Sequence, residues 1–196
     1  MSRALPLLLA LAFGAAGCFG GDDGGGTSIS ADSGESLVLS QSDVGDEFNQ
    51  FDKGSQRLAD LSPPRDDASR FGRKGGWKAR FSRPGTPATD GPLVISSLAD
   101  LFGSEDGAKK DFKLYKQSLF TFTSSGGRML SSPGLGDESQ AVTYRQGLPP
   151  NEVDYYVIAW RDGNVTASLN LNGYKLTWKQ ALALGQKQQQ RISAAR

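Results

Sequence analysis

The spacing of apolar and polar residues changes period several times along this chain, and each change marks an element. WKARFSR, 77–83, alternates: Trp77, Ala79 and Phe81 share one face, and Lys78, Arg80 and Ser82 share the other. That is the pattern of a half-buried strand. Turn residues follow in PGTPATDGP, and LVISSLADLF, 93–102, reads as a second strand with apolar residues on both faces. The period then becomes helical. Ser104 is placed to cap, Glu105 and Asp106 occupy the first turn, and Ala108, Phe112, Tyr115, Leu119 and Phe122 recur on one side. The helix is expected to end near TSSGG, 123–127.

Beyond a loop at 131–138, SQAVTYRQ is a third strand. EVDYYVIAW and NVTASLNL form a hairpin around Asp162-Gly163, a dipeptide suited to a two-residue type I′ turn. That turn predicts Trp160 opposite Val165, Ile158 opposite Ala167 and Tyr156 opposite Leu169, an apolar face that must be covered. The reverse face pairs Ala159 with Thr166, Val157 with Ser168 and Tyr155 with Asn170, and is small and mixed. A last helix opens at Thr177, with Gln180 in capping-box spacing, and runs through Ala181, Leu182, Leu184 and Gly185 to Ile192. Residues 61–76, LSPPRDDASRFGRKGG, read as a long internal loop.

These elements predict an α+β fold in a single domain: a largely antiparallel sheet of about five or six strands, packed by two main helices at about 104–122 and 177–194. Each half of the chain has a hairpin feeding a capped helix, a faint duplication. The order of elements resembles the Mog1/PsbP-like domains of some envelope lipoproteins, and also cystatin-like domains.

The N-terminus changes the picture from fold to location. A basic start at Arg3 precedes an apolar run from Ala4 to Ala16, shorter than the roughly twenty residues that span a bilayer. A block of small residues follows, which together make a secretory signal peptide. Ala15-Ala16-Gly17-Cys18 resembles the lipobox of bacterial lipoproteins, although Ala15 stands where that family usually has leucine. The resemblance implies removal of residues 1–17 and acylation of Cys18, the one cysteine of the chain. Two or three acyl chains would give stable anchoring. Residues 18–34 then read as the lipidated cysteine plus a flexible glycine-rich tether, and 35–196 as the globular domain.

Composition removes most familiar chemistry. The chain has no histidine, which excludes Ser-His-Asp and Cys-His sites, imidazole proton shuttles and histidine-ligated metal. With a single cysteine there is no internal disulfide. Losing residues 1–17 removes Arg3 and no acid, leaving basic and acidic side chains in balance; a nucleic-acid binder carries a basic excess. GGGTS and GRKGG lack the spacing of a phosphate loop. Asp43, Asp46 and Glu47 lack calcium-loop spacing and read as solvated charge. Glu152 and Asp154 share a strand face and read as an edge. Asn164-Val165-Thr166 matches a glycosylation acceptor, but the tight turn explains Asn164 better.

One constellation remains. Trp77, Arg80, Tyr155, Trp160, Arg161 and Asn164 lie on or beside strands of one sheet, and aromatic anchors beside arginine are the composition of binding surfaces. The plainer reading makes the tryptophans core and the arginines solvated. The expectation is a non-enzymatic envelope lipoprotein, extracytoplasmic and held to the membrane by lipid on Cys18. It binds an envelope ligand or protein, without nucleic acid, metal or cofactor. The alternatives are a histidine-independent hydrolase or transferase, and a structural or assembly factor without a small-molecule pocket.

Overall fold

The computed structural model describes residues 28–57, 60 and 68–196. The lipobox and Cys18 lie outside the described residues. The described residues open with a 3-10 turn at Ala31–Leu37 and a single helical turn, α1, at Gln41–Val44. The strands are β1 Asn49–Ser55, β2 Arg73–Ser82, β3 Val94–Phe102, β4 Arg128–Met129, β5 Glu138–Gln146, β6 Val153–Asp162 and β7 Val165–Gly173. The two long helices are α2, Glu105–Thr121, and α3, Trp178–Ala194. All strands join one antiparallel sheet in the order β1-β2-β3-β7-β6-β5-β4. The α+β class is therefore as expected, with seven strands among the described residues rather than five or six.

Both long helices begin where their caps place them. The Ser104 hydroxyl accepts from Gly107 N at 3.1 Å, and Thr177 with Gln180 forms a reciprocal capping box. Phe112, Tyr115 and Leu119 of α2 press on Val142, Val157 and Ala159 on one face of the sheet. Ala181 and Ile192 of α3 join Ile158, Trp160, Leu169 and Leu171 on the other. The small, mixed face of the β6–β7 hairpin is thus as buried as the apolar one: Ala159, Thr166 and Ser168 are at most 1% exposed. Among the described residues, no helix is long and apolar enough to cross a membrane.

The hairpin register differs from the expected one. Trp160 faces Ala167, Ile158 faces Leu169 and Tyr156 faces Leu171. The turn is Gly163-Asn164, with Gly163 at φ +57° and Asn164 outside the positive-φ region. Glycine leading and an ordinary residue second is the type II′ pattern. The slip is two positions in pairing, so every side chain keeps its face.

What holds the turn there is Asn164, only 4% exposed. Its Oδ1 accepts from Ile29 N at 3.0 Å, and its Nδ2 donates to Ile29 O at 3.1 Å and Phe102 O at 3.0 Å. With both amide hydrogens engaged and buried, Nδ2 is no glycan acceptor in this fold. Ile29 itself is 3% exposed. Ordered structure therefore begins before residue 35: residues 28–34, read from sequence as tether, are fastened to the sheet. Residues 73–76, read as the end of a loop, are the start of β2.

Candidate functional site

The sheet does carry the six sequence candidates, but it distributes them over both faces and both ends. Trp77 and Trp160 share a face and a cross-strand row, Trp77–Ala99–Ala167–Trp160. Two intervening strands separate them by roughly 14 Å. Trp160 is fully buried, whereas Trp77 is half-buried against the edge of the same core. Arg80, Tyr155 and Arg161 lie on the opposite face. Tyr155 stacks on Tyr144 at 4.6 Å, and Tyr144 on Phe122 at 5.1 Å, beneath the C-terminal end of α2. Arg161 pairs with Asp137 at 2.7 Å and Glu138 at 3.6 Å. Asn164 is the clamp on Ile29. They do not make one surface.

Arg80 belongs to a charge cluster on β1 and β2. Its guanidinium reaches Asp52 at 3.0 Å and Asp60 at 3.5 Å, and Lys78 lies 2.9 Å from each of the same carboxylates. Burial pushes the Asp60 carboxyl up, but the hydrogen bond from Arg57 and the ammonium of Lys78, with Arg80 behind, outweigh it and hold it below 3.8. Bonds to Asp60 and Asp52 raise Lys78 in turn. A carboxyl depressed in the folded state stabilises fully above its unfolded pKa and loses that contribution as pH falls through the folded value. The urea-midpoint difference between the native chain and Asp60→Asn is therefore expected to be level above about pH 5 and to shrink below about pH 4. A difference that grows on acidification contradicts this account of the cluster.

Asp43, one of the acids weighed for a cation, accepts from Ser40 N at 2.7 Å as a helix cap and pairs with Arg191 at 3.2 Å. The role is structural.

A concavity with an aromatic wall lies elsewhere, at the end of the sheet where Ile29 is clamped. The 3-10 turn stands over the first residues of β2 and leaves a cleft of about 370 Å³. Ala31, Asp32, Gly34, Glu35 and Leu37 form its outer wall; Ser55, Gly75, Gly76, Trp77, Ala99 and Leu101 form its floor. The volume falls at the low end of ligand sites, about 300–1,000 Å³. The indole of Trp77 is the apolar element: Gly34 sits beside it, where a Cβ would meet the ring at 3.5 Å. The Trp77 Nε1–H is buried without an acceptor, as is that of Trp160 in the core. Polar groups ring the mouth. Asp32 is exposed and has no ion-pair partner among the described residues, while Glu35 pairs with Lys53.

Two features make the floor. Gly76 is obligatory for packing, because a Cβ there would strike Arg73 and Asp100. Those two form an ion pair at 2.5 Å on the far side of the sheet. Gly75 is different: a Cβ would meet nothing within 4 Å. Its partner across the ladder is Leu101, so a side chain at 75 points into the cleft.

A second depression, about 400 Å³, lies along α2 and is lined by Asp106, Lys109, Lys110, Lys113, Lys116 and Glu138. It has no aromatic wall, and its ends are tied by Lys110–Asp106 at 2.6 Å and Lys116–Glu138 at 3.1 Å. The bond from Lys116, helped by Arg161, holds the Glu138 carboxyl below 4.5 against partial burial.

Trp77 is thus the one sequence candidate that lines the cleft. The remaining lining was missed because residues 31–34 read as tether, 75–76 read as loop, and nothing in the sequence brings Glu35 and Leu37 beside them. The signal is Ile29, an isolated apolar residue in a polar segment, and the short apolar run Leu37-Val38-Leu39 that follows it.

Among solved structures, the chain is similar to the extracellular domain of PknH from Mycobacterium tuberculosis. The TM-score is 0.49 and the identity 13%, over 87% of this chain and 98% of that one. No protein-family model matches the chain, and no curated protein matches it.

Proposed function

We propose that this protein is a lipid-anchored, extracytoplasmic binding module that takes a small ligand in the Trp77 cleft and does no chemistry on it. The cleft itself carries the reading: a pocket of ligand size, an aromatic wall, and polar side chains gathered at the mouth. The lipobox-like Ala15-Ala16-Gly17-Cys18 supports the location. Against catalysis stand the missing imidazole and the setting of the two cleft acids. A carboxyl acting as general acid needs an apolar environment that raises its pKa; Asp32 is exposed, and the Glu35 side chain is 61% exposed and paired with Lys53.

Two measurements test the proposal separately. Metabolic labelling with a fatty acid is expected to mark the native chain and leave Cys18→Ala unlabelled and released from the membrane fraction. An unlabelled native chain removes the anchor. Photo-crosslinking in intact cells from a probe at Ala31, on the cleft wall, is expected to capture a small molecule. Capture that persists when the cleft is filled by Gly75→Leu removes the cleft as the binding site.

A further inference from the structure

The chemistry around Trp77 is selective among ligand classes. We infer that the cleft binds a neutral saccharide, with one sugar ring against the indole; this rests on the cleft being the ligand site. A fatty acyl chain needs a closed apolar tunnel, and this cleft is only partly enclosed, with the carboxylates of Asp32 and Glu35 in its wall. A phosphate or carboxylate ligand needs an uncommitted cation; among the described residues no lysine or arginine lines the cleft, and the ammonium bonded to its wall, Lys53, is held by Glu35. A cationic amine gains most from a desolvated carboxylate against the ring, but Asp32 is exposed and Glu35 is already neutralised.

What remains is a polyhydroxylated ring. Its C–H face suits the indole, and its rim of hydroxyls needs acceptors and donors together. Asp32 supplies an acceptor, the Glu35–Lys53 pair supplies one of each, and the Ser55 hydroxyl serves as either. Such a pair loses little by engaging hydroxyls, since neither charge has to be uncovered. Gly75 leaves the space the ring occupies, because no atom stands within 4 Å of where its Cβ would be.

The test is a fluorescence and calorimetric titration of the full chain in detergent, with neutral tetrasaccharides of N-acetylglucosamine, glucose and mannose. Choline and decanoate serve as the competing classes. At least one tetrasaccharide is expected to bind saturably and to shift tryptophan emission. Asp32→Ala, which removes a charged hydrogen-bond partner, is expected to weaken that binding about tenfold. Gly75→Leu is expected to abolish it without lowering the thermal midpoint, since the side chain enters open space and glycine is a poor strand residue. Binding of choline or decanoate and of no tetrasaccharide overturns the ligand class and leaves the cleft as a site. Binding of none of the probes overturns this inference, while the crosslinking above still judges the cleft. Saccharide binding that survives Gly75→Leu overturns its placement at Trp77.

Discussion

Trp160→Ala is expected to destabilise the domain by about 4 kcal/mol, within the range of about 3–5 for deleting a buried large aromatic. The side chain is 0% exposed, and it sits in the β6–β7 half of the sheet where α3 closes the core. Its row neighbours across the ladder are Ser139 and Ala167, both too small to fill the space the indole vacates. For a domain of this size the loss corresponds to a fall in Tm of about 8–16 °C. Trp160→Phe separates the causes. The indole N–H is buried without an acceptor, so phenylalanine gives up volume but also removes a desolvated donor. Its cost should be less than half that of alanine. A Trp160→Phe variant as damaged as Trp160→Ala would mean that the N–H does have an acceptor in solution. The neighbouring Arg161→Ala offers a comparison, because its side chain is 11% exposed and is held by Asp137 and Glu138 near the end of β6. Removing this largely buried guanidinium leaves two carboxylates without it and should cost about 1–3 kcal/mol, less than Trp160→Ala.

Asn164→Ala should lower stability by about 3 kcal/mol. Three hydrogen bonds vanish together, and the N–H and C=O of Ile29 and the C=O of Phe102 are left without them in a buried setting. Leaving buried groups unsatisfied costs about 1–3 kcal/mol each, partly recovered where water enters. Asn164→Asp is the sharper variant. It keeps the acceptor for Ile29 N but turns a carboxylate toward two carbonyl oxygens. At neutral pH it should therefore be worse than alanine, although aspartate is the closer shape. Urea midpoints rank the variants, and hydrogen exchange locates the damage. The Ile29 amide should lose protection in Asn164→Ala, which removes its acceptor, whereas α3 keeps its protection relative to the global limit in both. If aspartate proves milder than alanine, the amide does not donate to Ile29 O and Phe102 O.

Sequence patterning located the parts of this fold whose cause is local. The caps at Ser104 and Thr177, the helical stripe of Phe112, Tyr115 and Leu119, and the alternation of Trp77, Ala79 and Phe81 each act within a few residues, and each appears where the pattern puts it. β1 escaped because NQFDKGS has no apolar alternation: it is an edge strand held to β2 by the backbone ladder and the ion pairs of Asp52 with Lys78 and Arg80, and Phe51 on it is 57% exposed. The hairpin register was misjudged by two positions because Asp162-Gly163 is a good turn in isolation. Asn164 is drawn into the turn by Ile29, 135 residues earlier, and no short window contains that bond. The cleft was illegible for the same reason. Its walls come from residues 31–37, 55, 75–77 and 99–101, which only the assembled sheet makes neighbours. The six-residue constellation failed as a surface because shared strands do not mean a shared face; parity along β6 alone puts Trp160 and Arg161 on opposite sides.

The clamp on Ile29 also sets how the domain bears a load. Any tension reaching it from upstream arrives at residue 28 and meets the Asn164 amide first, before it meets the turn at Ala31–Leu37 that walls the cleft. Two of the clamp's bonds grip the N–H and the C=O of one residue, so they share the pull and yield together rather than in sequence. The fixing acts as a strain relief at the root of a cable. While it holds, tugging on the N-terminal segment leaves the cleft's shape unchanged; once it slips, the wall over Trp77 is the next part to peel.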